Sequence, residues 1–495
     1  MSSGLVIGID VATQDARAVC ADGEGHILAA GEAPLPPPRR PRPGWAEQDA
    51  SAWWPAASAA LRRTTGALGP DRARVVAVAP ATTSGTIVLA DAACEPVGPA
   101  LLYDDARAAA EARRAQELGR ERWETMGIRI GPSFTLAKLA WLARKGALDG
   151  AAHAWSAADL VVARLLGEPP ATDWSHALKS GYDLVRREWP VEVYDALGVP
   201  PALLPPVRAP ATLAGRVSAE AARETGLPEH CEVRLGMTDG CAGQLAGGAA
   251  SPGRFVSVLG TTLVIKGVTA ELVRDPAGAV YSHLHPDGWW LPGGASNTGG
   301  EALAPFRRHL VELDSAAAAR GPAKCIAYPL ARAGERFPFL EPAARGFAVG
   351  APADEVEAYR AALEGVAFVE RLAYDRLAAL GARAEGPVAT AGGGSRSRVW
   401  NRIRATALER PLVVPATPTS AFGAAVLAAA GTLHDDLKSA AAAMVSVRAG
   451  VEPDEREAPA LLESYERLVE ELRQRGWIGG ERAALREPVT TTREV

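Results

Sequence analysis

The sequence predicts an α/β fold built as two domains, and three observations carry that expectation. A chain of 495 residues is too long for one hydrophobic core, so two domains of similar size are expected. Each half contains a short apolar run that breaks at a bend of small and hydroxyl-bearing residues. In the first half Leu5-Val6-Ile7-Gly8-Ile9 ends in Asp10, with Val11-Ala12-Thr13-Gln14-Asp15 as the bend; in the second, Phe255-Val256-Ser257-Val258-Leu259 breaks at Gly260-Thr261-Thr262. Elsewhere helical periodicity alternates with buried-strand runs, which is the pattern of α/β domains. We expect an N-terminal domain over 1–248, a C-terminal domain over 249–435, and a helix with a charged tail over 436–495.

Leu5 to Leu28 reads as two strands, the turn Asp22-Gly23-Glu24-Gly25 and the start of a third strand at His26, an antiparallel meander. The proline-rich stretch from Pro34 to Pro43 reads as an extended surface connection, because repeated proline can neither feed a ladder nor continue a helix. An Ala-rich helix follows as far as Arg63, then a buried strand from Val75 to Ala79. Helices are expected over Ala106 to Gly119, Ser133 to Lys145 and Ala157 to Leu166, with a proline-marked loop from Pro200 to Pro210. The second meander runs from Phe255 to Lys266. Beyond it come a long helix from Ala358 to Leu380, a strand from Pro387 to Ala391, a helix from Arg398 to Leu408 and a strand from Pro411 to Pro415. Ser420 is expected to cap an Ala/Gly-rich helix reaching Ala430. Past about Ala440 only a helix from Ala460 to Gln474 and the charged tail are legible.

Composition narrows the function classes. A hydrophobic share of 48% and a formal net charge of -5 describe an ordinary soluble protein with no electrostatic reason to bind nucleic acid or an anionic membrane. Five scattered cysteines, Cys20, Cys94, Cys231, Cys241 and Cys325, form no Cys-x-x-Cys pair and read as reduced thiols, so a cytoplasmic location is expected. No uncharged stretch reaches the roughly 18 apolar residues of a membrane span. His283-Leu284-His285 would set two imidazoles on one strand face, but zinc needs further ligands and none is evident. Trp289 and Trp290 read as core or wall residues.

The phosphate-loop, dinucleotide and nucleophile-elbow motifs are all missing. If a nucleotide binds, hairpin bends must hold it. Small residues let backbone N–H groups approach phosphate oxygens, and Thr adds a hydroxyl, so Thr13 with Asp10 and the bend Gly260, Thr261 and Thr262 are the candidates. Asp10 closes a buried strand, where a carboxylate needs a cation nearby; Mg²⁺ carried by nucleotide phosphates suits it, and an Asp that merely caps the turn is the alternative. Asp239, in Gly236-Met237-Thr238-Asp239-Gly240 before a small-residue helix, could take the proton of a substrate hydroxyl as that oxygen attacks phosphorus. An N-cap serving only the helix is the plainer reading of the same residue. Gly392, Gly393 and Gly394 with Ser395 follow a strand and open a helix, where backbone can pass close to a planar base or simply form a flexible loop. Thr82-Thr83-Ser84-Gly85-Thr86 gathers hydroxyls at a strand end, which suits a polyol but also suits a turn. Tyr103-Asp104-Asp105-Ala106-Arg107 could add polar contacts or simply start a helix.

With these residues in view, the chain resembles the FGGY carbohydrate kinases of the actin-like ATPase superfamily over roughly Leu5 to Leu433. The stretch Ser133 to Leu142, containing Lys138-Leu139-Ala140-Trp141, is similar to the Lys-x-x-Trp signature; Gly44 to Asp49 and Glu364 to Phe368 are similar to other family blocks. The resemblance implies two ribonuclease-H-like domains closing on a central cleft, sugar mostly on the first and ATP mostly on the second. It implies Asp10 and Thr13 on the phosphates, Gly260 to Thr262 as the second phosphate hairpin, Gly392 to Gly394 and Ser395 bordering adenosine, Asp239 as the base, and Mg²⁺ held by Asp10 and Asp239 through water. Thr83 to Thr86, Ala177 to Asp183, Val280 to His283 and Gly293 to Gly300 look most like the D-ribulose kinase branch. That implies a ketopentose phosphorylated on O5, with Ser84, Asp10 and Asp239 lining the sugar. Xylulose or another polyol is the alternative substrate, and a non-catalytic ATP-binding module the alternative class. Implied partners are a small sugar or polyol, with no nucleic acid and no membrane; a homodimer is left open. Three positions depart from the family pattern: Ala12 stands where Gly is general in the first hairpin, Ala81-Thr82 replaces Asp-Gly, and Lys145 does not fit the end of its signature.

Overall fold

Residues 4–479 are described by a computed structural model. Two seven-stranded sheets of matching design organise it. In the first, Leu5–Val11, Asp15–Ala21 and Ile27–Pro34 form an antiparallel meander. Val75–Thr82 then adds parallel to Leu5–Val11, Glu232–Arg234 parallel to Val75–Thr82, and Leu213–Arg216 closes the edge antiparallel. The second sheet repeats that order. Phe255–Leu259, Leu263–Gly267 and Trp290–Ser296 are antiparallel; Val388–Ala391 and Leu412–Pro415 follow in parallel, and Val447–Val451 closes the edge antiparallel. Tyr281–Leu284 lies one place further out on the meander side. This is the two-domain ribonuclease-H-like arrangement expected from the resemblance.

Hydrophobic periodicity located most helices to within a few residues. The segments Ala109–Leu118, Thr135–Arg144, Ala157–Leu166, Glu355–Ala379, Arg398–Leu408, Ser420–Ala429 and Ala458–Gln474 are helical. Local chemistry sets the ends: Ser156 and Asp159 form a reciprocal capping box ahead of Ala157, and Asp354 accepts from the Glu357 amide. One cap differs from expectation. Thr419, not Ser420, caps the helix Ser420–Ala429 by accepting from the Phe422 amide, which leaves the Ser420 hydroxyl to donate to the Asp239 carbonyl at 3.1 Å. The strand Val447–Val451 lies where the sequence showed only a connection to the last helix. Its residues are mostly exposed, so no apolar alternation announced it. The end of the charged tail, 480–495, lies outside the described residues.

The two halves meet where helix Ser420–Ala429 of the second packs against the first sheet and against helix Asp239–Ala246. Side chains are nearly absent from that contact. A Cβ on Gly8 would lie 1.9 Å from the Ala421 carbonyl oxygen, and one on Gly423 would lie 1.8 Å from the Ala242 carbonyl oxygen. Around them Val6, Ala79, Ala81, Met237, Leu245, Phe422 and Leu427 make a continuous buried core that belongs to both halves. A larger core sits on either side, under the helices of each sheet. Gly8→Ala should therefore cost about 3 kcal/mol or more, above the usual overpacking range, since backbone rather than a flexible side chain must move. Denaturant unfolding of purified variants checks this, with Gly450→Ala as control because a Cβ there meets nothing within 4 Å.

Candidate active site

Topology puts the two carboxylates at one edge. Asp10 is level with Ala81 in the strand Val75–Thr82, and Met237–Thr238 pairs with Ala81 and Thr82 from the other side of that same strand. Asp10 and the residue preceding Asp239 thus flank one strand at the carboxyl ends of a parallel set, two strand spacings or roughly 10 Å apart. Ligands of open α/β sheets settle at that edge. Gly236 permits the approach: a Cβ there would lie 1.9 Å from the Pro80 carbonyl oxygen.

Asp239 begins the helix Asp239–Ala246 rather than capping it. Thr238 occupies the cap position without a side-chain bond, and the Asp239 carboxylate accepts from the adjacent Gly240 amide at 2.6 Å. Burial raises its pKa, against the lowering influence of that amide, Lys266, His176 and Lys179. Asp10 is buried, with Oδ1 left without any partner. Burial and then the charge of Asp239 raise its pKa to about 7, with Arg17 acting in the opposite direction. A buried Asp10 carboxyl raised by the charge of Asp239, with one oxygen unpartnered, is what a hydrated divalent ion would relieve. The donors present fit Mg²⁺ in that respect, and among the described residues no cluster of three or more His, Cys, Asp or Glu offers another metal site. His283 and His285 accordingly form no such group.

The first hairpin closes through the Ala12 amide, which donates to the Asp15 carbonyl at 3.0 Å, while Gln48 braces the bend by donating to the Thr13 carbonyl. Ala12 is not among the residues with positive φ, so the turn does not require glycine there. The second hairpin, Gly260 to Thr262, is half-buried to exposed and pinned from behind: the Gly300 and Glu301 amides donate to the Gly260 and Thr261 carbonyls. A Cβ on Gly299 would strike the Thr262 backbone at 2.5 Å. Buried Glu335 holds that backing loop by accepting from Ser296, Thr298, Tyr328 and the Asn297 amide.

The glycine turn divides by role. Gly392, at φ 83°, and Gly394 pack onto Leu259 so closely that a Cβ on either would come within 2.5 Å of it, whereas Gly393 faces open space. The Ser395 hydroxyl donates to the Gly392 carbonyl at 2.7 Å and so ties the turn. A groove of about 1040 Å³ runs behind it past Arg396, Asn401 and Arg448.

Of the hydroxyl cluster, Thr82 bonds His176 Nε2 at 2.8 Å and Thr83 bonds Thr86, while the Ser84 hydroxyl is buried without a partner. Asp104 and Asp105 are engaged elsewhere, with Arg40 and with the Ala46 amide and Arg107. Sequence reading missed the buried support of this edge. Asp173 accepts from His176 and from the Ser175 hydroxyl, and Ser175 Oγ accepts the Thr238 amide one residue before Asp239. The stretch Asp173-Trp174-Ser175-His176 carries a cap signal, Asp before a short helix, that could have placed Asp173 but not its reach to Thr238. Lys138 of the Lys-x-x-Trp stretch is fully buried and donates to the carbonyls of Gly85 at 2.7 Å and Leu102 at 2.5 Å, fixing the hydroxyl loop. Because burial and the charge of Asp239 push the Asp10 carboxyl up to about 7, kcat/KM for ATP should fall about tenfold per pH unit as pH drops from 7 to 5. A pH–rate profile flat across that range contradicts the assignment.

Comparisons with known proteins agree with this architecture. The model of the FGGY family of carbohydrate kinases matches twice, its N-terminal domain over residues 5–246 and its C-terminal domain over 255–432. A xylulose kinase of Streptomyces rubiginosus is 32% identical over 438 residues, covering 86% of this chain and 87% of the relative. The solved structure of a xylulose kinase from Brucella ovis superposes with a TM-score of 0.87 at 26% identity, covering 95% of this chain and 99% of that one. A xylulose kinase structure from Rhodospirillum rubrum gives 0.85 at 29% identity, covering 95% and 98%. The chain belongs to the FGGY family of carbohydrate kinases.

Proposed function

We propose that this ATP-dependent sugar kinase phosphorylates the terminal hydroxyl of an open-chain sugar lying between Ser84 and Asp239, and that the neutral sugar it fits is a ketopentose. D-Ribulose, giving D-ribulose 5-phosphate, is the reading supported by the resemblance of the hydroxyl loop; D-xylulose is the reading supported by the relatives named xylulose kinase. One observation carries the chemistry. A buried, partnerless Asp10 oxygen sits at the same sheet edge as Asp239, and the two acids feel each other's charge.

In the reaction the sugar oxygen attacks the γ-phosphorus, the bond from that phosphorus to the β,γ-bridging oxygen breaks, ADP departs, and the hydroxyl proton passes to the Asp239 carboxylate. Its raised pKa suits a base that must hold that proton, and the Gly240 amide fixes the orientation of Oδ1. Hairpin amides at Thr13 and Gln14 and at Thr261 and Thr262 would donate to the phosphates, and the rigid support behind both bends preorganises them. Magnesium would be held by Asp10 and, through water, Asp239, supplying positive charge against the phosphate oxygens. Ala12, where the family pattern has Gly, leaves the hairpin closed with its backbone outside the positive-φ region.

Asp239→Asn should lower kcat by at least ~10²-fold while ATP affinity changes little, read by coupled ADP release and by calorimetry with ATP. Turnover close to that of the unaltered enzyme removes Asp239 from the role of base.

A further inference from the structure

A buried histidine stands among acids behind the strand end that leads to Asp239. His176, on the short helix Trp174–Ala177, is 4% exposed, and both of its ring nitrogens are engaged: Nδ1 meets Asp173 Oδ2 at 2.5 Å and Nε2 meets the Thr82 hydroxyl at 2.8 Å. Asp173 also accepts from the Ser175 and His176 amides and from the Ser175 hydroxyl, so it serves as an acceptor throughout and Nδ1 must carry the proton they share. Thr82 stands opposite Thr238 in the parallel ladder, and Thr238 gives its amide to Ser175 Oγ. One ring therefore holds both members of the pair that precedes Asp239, Thr82 directly and Thr238 through Asp173 and Ser175.

The charges around the ring come from several elements. Asp173 caps its own helix, Asp159 belongs to the helix Ala157–Leu166, and Asp239 starts the helix Asp239–Ala246. Burial opposes a charge on His176, but these acids outweigh burial and raise its pKa. The strand Tyr281–Leu284 of the second half packs on the same helix, with the Trp174 indole donating to the Leu284 carbonyl. It brings His283, whose pKa is pushed down by burial and then by Lys266, Lys179 and His176, so that second imidazole adds no positive charge. Asp173 has His176 as its ion-pair partner, and His176 in turn lowers the pKa of Asp239. A neutral amide could imitate the two hydrogen bonds. Only an imidazolium adds a fixed positive charge.

We propose that His176 is a positioning residue for phosphoryl transfer, an imidazolium clamped between Asp173 and Thr82 that fixes the strand ends before Asp239 and offsets the charge of its carboxylate. It acts through the base and is buried away from ATP and sugar. This rests on the kinase reading with Asp239 as base.

Two measurements test it. In protein carrying ¹⁵N-labelled histidine, magnetic resonance at about pH 7, where an ordinary imidazole is mostly neutral, should show a ring with both nitrogens protonated that disappears in His176→Gln. Thr82→Val, which removes the Nε2 partner, assigns the signal where the Gln variant does not fold. A His176 ring with one bare nitrogen overturns the proposal. By coupled ADP release, His176→Gln should lower kcat on the order of 10-fold with KM for ATP and for sugar nearly constant. The same change in the Asp239→Asn protein should cost almost nothing more, because a residue that acts through the base has no effect once the base is gone. Equal losses in both backgrounds overturn the positioning role and leave the kinase reading standing, since a merely structural histidine costs the same with or without Asp239. Normal turnover by Asp239→Asn alone fails the base reading itself, and the positioning role with it.

Discussion

Everything at the cleft depends on one close contact, the crossing of helices Asp239–Ala246 and Ser420–Ala429 at Ala242 and Gly423. The first helix starts at the acid placed as base; the second belongs to the half that carries the glycine turn and the second phosphate hairpin. Gly8 extends the contact into the first sheet, two residues before Asp10. Backbone meets backbone there, so the relative position of the acids and the second half is set by atoms with little freedom to relax.

Around that crossing two buried polar networks hold the edges of the site. Glu335 with Ser296, Thr298 and Tyr328 secures the loop behind the second hairpin, and Asp173 with Ser175 and His176 secures the strand end before Asp239. Asp10 Oδ1 and Ser84 Oγ, by contrast, are buried without a hydrogen-bond partner, as are atoms elsewhere such as Trp155 Nε1 and Glu111 Oε2. Satisfied networks rigidify, and unsatisfied buried atoms ask for a ligand.

Much of this was legible in the sequence because its signals were local. The hairpin bends at Val11 to Asp15 and Gly260 to Thr262, the turn Gly392 to Gly394 and the acids Asp10 and Asp239 are each marked by small or charged residues within a few positions. Long helices such as Glu355–Ala379 showed their period directly. What stayed hidden was long-range. The duplicate strand order of the two sheets has no repeat in the sequence, because pairing is fixed by topology and not by residue identity. Val447–Val451 is an exposed edge, and the edge strand Leu213–Arg216 is too short and half-exposed for alternation to show. Ser420 read as a cap because its residue type permits it; only the fold assigns it to Asp239.

The central claim is that the two halves, locked at the helix crossing, present one pocket in which Asp10 and Asp239 face the same transferring group. A crystal structure of the Asp239→Asn protein with a non-hydrolysable ATP analogue, Mg²⁺ and substrate tests it most directly. The account predicts the γ-phosphate between the two hairpins, the ion at Asp10, and the sugar's terminal oxygen between residue 239 and phosphorus. A nucleotide or sugar seated away from that edge, with Asp10 and residue 239 on separate pockets, would contradict it.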